Sequence, residues 1–314
     1  VWSYARELVK SHTVTVMGHE DSIYPAGVQV LPIRPEPNKI SELQQYQIYQ
    51  SELRNFDVIH DWSHLHLASR YTVKLPSLNL FFHAPALAQY PKAPYNIISF
   101  SEWGAREFKR VYRQEARYQQ SIGIDLAVYH PKGKRGNRFL TIGRMAQEKG
   151  NLEAAELCRN LQQPLDIVGG RGLEKTGSDP LTDYEKAVRE RCDGEVLKFW
   201  GEVAEDRKIK LMQSCKALIY YTDHPEVTSH KIQEALFCGA PAIVPDLGAM
   251  NEIVTEGVNG YLRSRLDGYL WAMKHIDDLE PEKAYDALVD KYDIQKVVAR
   301  YIPLFQEVAH GLRW

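Results

Sequence analysis

Residues 217–246, ALIYYTDHPEVTSHKIQEALFCGAPAIVPD, decide the fold class. The apolar run 217–221 reads as a buried strand ending in a polar loop. A helix follows, starting near Thr228 or Ser229, either of which can serve as N-cap, and Gly239 closes it. The next apolar run, PAIVP (241–245), is strand-like again. Strand, helix and strand at this spacing form a βαβ unit, which requires a parallel sheet. Ligands bind at the carboxyl ends of such strands, and a helix N-terminus there offers free N–H groups suited to a phosphate.

The same rhythm continues upstream. RFLTIGR (138–144), a helix from about Asn151, PLDIVGG (164–170), a long polar insertion, VLKFWG (196–201) and a helix near Ile209 lead into the deciding unit. Further upstream, strand candidates at 13–17, 28–32, 57–60, 77–82 and 96–100 alternate with helical text such as SELQQYQIYQSELRNF (41–56) and SEWGAREFKRVYR (101–113). Between the two series lies HPKGKRGNR (130–138), rich in charge, Gly and Pro and without apolar period, which reads as a linker. The expected boundary is near residue 133. The chain opens in helical text, VWSYARELVK, followed by strand-like TVTVMGH. An α/β domain normally starts with a strand, so a preceding strand and its loop are expected to be missing from these residues. The last stretch, IQKVVARYIPLFQEVA, is amphipathic, with Pro303 as the expected kink.

Bulk properties narrow the function. A length of 314 residues suits two domains, and 44% hydrophobic with 25% charged residues is ordinary for a globular protein. Thirty-nine basic against 41 acidic residues leave a net charge of −2, so nothing calls for a nucleic-acid partner. Cys158, Cys192, Cys215 and Cys238 lack C-x-x-C spacing and read as reduced thiols. No apolar run reaches the ~20 residues of a transmembrane helix and no signal peptide is visible. The expected location is the cytoplasm, with room for peripheral membrane association.

Two charged pairs fall at equivalent strand ends. Glu226 and Glu234 bracket the start of the deciding helix. Eight helical positions would separate them by about 12 Å. A glycosidase pair needs carboxylates about 5–9.5 Å apart, so this spacing suits two contacts on one extended ligand such as a diphosphate. In RFLTIGRMAQEKGN (138–151), Arg144 sits at a strand end and Lys149 just before the next helix. Arg supplies a planar fork and Lys a mobile point charge, and together they could neutralise a diphosphate leaving group without a metal. Taken singly, each pair could equally be solvated loop charge. The cluster VGGRGLEKTG (168–177) fails both the dinucleotide fingerprint and the P-loop and reads as a tight turn with close backbone approach. HDWSHLH (60–66) lacks metal-site spacing and reads as cleft-lining or structural, while His83 ends an apolar strand and by itself decides nothing.

These residues resemble the retaining glycosyltransferases of family 4, members of glycosyltransferase group 1. Glu226 and Glu234 fit the family's E-x7-E motif, with Ala235, Gly239 and Pro241 trailing it. Gly143, Arg144, Lys149 and Gly150 fit its G-R-x-x-x-x-K-G segment, and Asn251 to Val254 with Gly257, Asn259 and Gly260 its E-I-V-x-x-G-x-N-G stretch. Asp57 to His60, His83, Gly123 to Asp125 and Pro131 stand in the expected order. Where many relatives carry Pro-Phe-Gly or Gly-Phe-Gly after the first Glu, this chain has Val227-Thr228-Ser229.

The resemblance implies a GT-B fold: two doubly wound Rossmann-like parallel-sheet domains facing a central cleft. Domains of 1–132 (acceptor side) and 133–300 (sugar-nucleotide side) are expected, with 301–314 crossing back onto the first. It implies transfer of a hexose-type sugar, with retention, from a nucleoside-diphosphate sugar to a hydroxyl acceptor on a saccharide, lipid or small molecule. No cofactor and no metal are expected. Arg144 and Lys149 are implied to bind the diphosphate, Glu234 the ribose hydroxyls and Glu226 the transferred sugar, with His83 facing that sugar. Gly143, Gly169, Gly201, Val203, Thr228 and Ser229 complete the implied donor site, the stretch 200–203 lining the base and Ser229 able to donate its hydroxyl. Asp61, Trp62 and His64 are candidate acceptor contacts. Two alternatives are a sugar-nucleotide epimerase of the same fold and a catalytically silent nucleotide-binding scaffold.

Overall fold

The computed structural model describes residues 2–34, 41–63, 65–70, 75–81, 94–120, 123–170 and 181–314. The chain divides into two compact units, Val1–Asp125 with Asp290–Trp314, and Leu126–Val289. The sequence reading sets the corresponding limits near 133 and at 301. Ile124 accounts for the position of the second limit: its N–H donates to the Tyr292 carbonyl (2.7 Å), and its own carbonyl accepts from Ile294 N–H (3.1 Å). The chain is thus tied to the first unit several residues before 301.

In the first unit, helix α1 (Trp2–Leu8) precedes strands β1 (Thr15–His19) and β2 (Gln29–Ile33), which pair in parallel as a two-stranded sheet. Helix α2 (Ser41–Tyr49) follows, then β3 (Ile59–Asp61), α3 (Leu67–Arg70), β4 (Ser77–Phe81), β5 (Ile97–Ser99), α4 (Glu102–Tyr112) and β6 (Arg117–Tyr118). Strands β3 to β6 pair side by side, all parallel. Strand β4 is buried along its whole length, as a parallel strand covered on both faces must be. Ser101 caps α4, its Oγ accepting from the Gly104 N–H at 2.9 Å.

The second unit holds a six-stranded parallel sheet. Its elements are β7 (Phe139–Ile142), α5 (Asn151–Asn160), β8 (Leu165–Val168), α6 (Asp183–Glu190), β9 (Leu197–Gly201) and α7 (Glu205–Ser214). Then come β10 (Leu218–Ile219), α8 (His230–Phe237), β11 (Ala242–Val244), β12 (Gly260–Leu262) and α9 (Leu266–His275), while α10 (Tyr285–Tyr292) runs across the limit between the units. The strand order is β12-β11-β10-β7-β8-β9. One core joins Phe139, Leu165, Ile167, Leu197, Ile219 and Ile243 from the sheet to Ala154, Val188, Tyr269 and Ala272 from the helices. Residues 130–138 form neither helix nor strand, in keeping with their composition. Helix α11 (Ile294–Ala309) belongs to the first unit and runs through Pro303 as one element. No described helix is long and apolar enough to cross a membrane.

Candidate functional site

The strand order of the second unit locates its ligand crevice. From β7 the chain winds outward through β8 to β9, then returns to lay β10 against the opposite edge of β7. At such a switch point the loops after the two neighbouring strands run apart and leave an opening at their carboxyl ends. Here those loops are 143–150 and 220–229.

The first loop is held from beneath. Met145 N–H donates to the Gly170 carbonyl (2.9 Å), and Gly143 N–H to that of Val168 (3.0 Å). Asn151, fully buried at the start of α5, donates its Nδ2 to the Arg144 carbonyl at 2.7 Å. Arg144 itself reaches outward, its Nη2 on Glu148 Oε1 at 2.7 Å, and is exposed. A guanidinium on a surface carboxylate is free to move to a better anion, since exposed pairs contribute about 0–1 kcal/mol.

The second loop is pinned to the first. Thr222 Oγ1 donates to the Glu148 carbonyl at 2.9 Å. Gly150, with φ +65°, lies so close to Tyr221 that a Cβ there would sit 1.6 Å from the Tyr221 oxygen. This packing brings Lys149 onto Glu226 in a direct ion pair, both side chains mostly buried. The sequence placed Glu226 at a helix flank. In the structure it lies four residues before α8, so the 12 Å helical spacing to Glu234 does not apply. Ser229 is the N-cap, in extended conformation, and makes no side-chain capping bond. Thr228 Oγ1 accepts from Gln233 Nε2 at 3.2 Å.

Lys231, in the first turn of α8, is a residue that sequence reasoning missed. Its Nζ stands 3.4 Å from the Tyr220 ring centroid. Burial pulls its pKa down to about 7, against the pull of Glu226 and with Lys149 adding to the fall.

A second group of ionised residues surrounds Glu234. Lys208 on α7 reaches Glu234 Oε2 at 3.1 Å and Glu205 Oε2 at 3.0 Å, and the Tyr129 hydroxyl donates to Glu205. Burial raises the Glu234 pKa, while Lys208 and Tyr129 pull it back. Lys208 therefore favours the ionised form of this carboxyl against the effect of burial. Neither Lys208 nor Tyr129 carries a local sequence signal; they lie 26 and 105 positions from Glu234 (234 − 208 and 234 − 129). Lys208→Met should raise the Glu234 pKa further. A ligand held by the carboxylate form then loses affinity as pH falls through that raised value, so dissociation constants at about pH 5.5 and 7.5 should diverge more in the variant than in the wild type.

Of the other expected donor contacts, Gly169 follows β8 with φ +157°, and a Cβ on it would lie 1.8 Å from the Gly143 oxygen. Its N–H donates to the Gly201 carbonyl at 2.8 Å, which ties the ends of β8 and β9 together. Val203 is half-buried just beyond. Trp200 is partly exposed, with its Nε1 on Asp166 Oδ1 at 2.9 Å and the Arg207 guanidinium 4.3 Å above its ring.

In the first unit, Asp61 is buried and accepts from the Ser63 N–H at 2.8 Å, shaping the turn that leads to α3. Trp62 packs against Tyr4 (5.6 Å) and His60 (5.2 Å), with its Nε1 on His60 Nδ1 at 3.2 Å. His64 and His83 lie outside the described residues, as does most of the glycine cluster beyond Gly170. Among the described residues no three His, Cys, Asp or Glu side chains are placed to hold a metal ion.

Comparison with known proteins bears on this arrangement. Residues 128–267, which contain both loops, match the family of glycosyl transferases group 1. No protein of curated function matches the chain in sequence. Among solved structures, AviGT4, a glycosyltransferase involved in avilamycin A biosynthesis, shares 19% identity at a TM-score of 0.73, over 99% of this chain and 89% of its own. Sucrose-phosphate synthase from Thermosynechococcus elongatus shares 12% at 0.78, over 98% and 92%. Anabaena Alr3699/HepE, solved with UDP and glucose, shares 15% at 0.76, over 97% and 95%. The chain has the GT-B fold, and within it residues 128–267 match the model of glycosyl transferases group 1.

Proposed function

We propose that this chain, whose residues 128–267 match the glycosyl transferases of group 1, is an enzyme that moves a hexose-type sugar from a nucleoside-diphosphate sugar to a hydroxyl acceptor with retention at the anomeric carbon. The observation that carries this reading is the Lys149–Glu226 pair at the switch point of the second unit, with Arg144 one loop residue away from β7. A cation and a carboxylate held against each other suit a ligand that has phosphate oxygens beside sugar hydroxyls. The diphosphate takes Lys149 and draws Arg144 off Glu148; Glu226, relieved of its partner, accepts from hydroxyls of the sugar. Glu234 accepts from the ribose hydroxyls, and the backbone of 201–203 lines the base. Similar structures solved with UDP or UDP-glucose agree with a diphosphate donor.

In the reaction the bond from the anomeric carbon to the phosphate oxygen breaks as the acceptor oxygen bonds to the same face. The acceptor proton passes to the departing phosphate oxygen, and no protein nucleophile is consumed. Positioning and charge stabilisation at the leaving group are the protein's share.

Calorimetry of the full chain against UDP, GDP and ADP, in the presence of a chelator, should show binding of one of them that weakens about tenfold or more in Arg144→Ala. Absence of binding to all three would overturn the reading, and binding without turnover would favour the silent scaffold. With the matching donor, the first-formed product should keep the donor's anomeric configuration by NMR; an inverted product would refute retention.

A further inference from the structure

Lys231 has no role in the reading above, yet it sits inside the same loop cluster. Its Nζ lies 3.5 Å from the point where a Cβ on Gly143 would stand, and the Lys149 Cβ lies 3.2 Å from that point. Gly143 therefore opens a space at the carboxyl end of β7 onto which two lysines converge, Lys149 from the β7 loop and Lys231 from the first turn of α8. Tyr220, fully buried at the end of β10, forms the floor beneath the Lys231 ammonium. The groups facing this ammonium are Glu226 from the β10 loop, Lys149 from the β7 loop and the Tyr220 ring. When Lys231 is protonated, one carboxylate faces two ammonium groups and the cluster is net positive, before Arg144 is counted. A solvated lysine would turn its head to water; this one is partly buried against an aromatic face and beside a like charge. An arriving anion would remedy both deficits.

We propose that Lys231 is a further donor-binding residue, a third cation that closes on the diphosphate together with Arg144 and Lys149. The proposal rests on the donor reading above. It also carries a proton linkage. Near pH 7 a large share of Lys231 is unprotonated in the empty site, since its pKa there is about 7. A diphosphate beside it favours the ammonium, so its pKa rises and a proton is drawn from solvent as the ligand binds. The complex then holds more protons than the free protein. Affinity must fall as pH rises above about 7, by up to tenfold per unit. Transfer leaves this proton in place: the acceptor's proton goes to the phosphate oxygen, and the Lys231 proton returns to water when the diphosphate departs.

The experiment is calorimetry of the full chain with UDP, GDP and ADP at about pH 8, where the terminal phosphate is already ionised, in buffers of different ionisation enthalpy. The wild type is expected to take up about 0.5–1 proton per bound ligand. Lys231→Met should bind about tenfold or more weakly and take up none. Lys231→Arg should bind with near wild-type affinity, again without uptake, because its guanidinium is charged at every working pH. Thermal melts establish that both variants fold. Binding to Lys231→Met within about twofold of wild type, with uptake retained, overturns the proposal and leaves the donor reading standing. Failure of every nucleoside diphosphate to bind the wild type overturns the donor reading, and the proposal with it.

Discussion

In Lys149→Ala, turnover at saturating donor is expected to fall by about 10²- to 10³-fold while the fold persists, the loss typical when one preorganised charge-stabilising group is removed. Lys149 is held on Glu226 across the opening between the two loops, and in the proposed reaction it stabilises charge on the departing phosphate. The variant removes that charge and leaves Glu226 mostly buried beside Lys231 alone. The structural cost is separate: removing one partner of a mostly buried pair costs up to about 3 kcal/mol, part of it offset by Lys231 beside Glu226, so the melting temperature should drop by several degrees while the protein stays folded. Single-turnover rates and a thermal melt on the same preparation separate the two effects. Wild-type turnover in the variant would remove Lys149 from the reaction.

The second large effect is on stability. Gly150→Ala should cost at least about 3 kcal/mol and abolish turnover with it. The new methyl group would fall 1.6 Å from the Tyr221 oxygen, in a residue held at φ +65°. A backbone oxygen cannot swing aside like a side chain, so the two loops must part, and Lys149 is the adjoining residue. Gly133→Ala is the control. It has φ +75° but nothing within 4 Å of the added carbon, so it bears only the conformational cost of about 1 kcal/mol. Denaturant melts of both variants test the comparison. Equal losses would show that close approach at Gly150 contributes nothing.

Much of this protein was legible in its sequence. Buried parallel strands read as short apolar runs, and β8 and β11 lie where PLDIVGG and PAIVP place them. Helices α5 and α8 start within two residues of their expected positions and α7 contains Ile209, because apolar periodicity acts locally. One reading needed the third dimension to correct it: Glu226 has no helical relation to Glu234, since α8 begins only at His230.

The sequence by itself determined the class of fold, the alternation of elements and the charged residues that stand at strand ends, all of which follow from composition over a few neighbouring positions. Only the tertiary structure decided which of those charges meet. Lys149 finds Glu226 across 77 positions because β10 returns to lie beside β7. Lys208 finds Glu234 because α7 packs against α8, and Lys231 joins Lys149 because Gly143 has no side chain to keep them apart. Such pairings depend on strand order and backbone approach, and no local period in the chain encodes either.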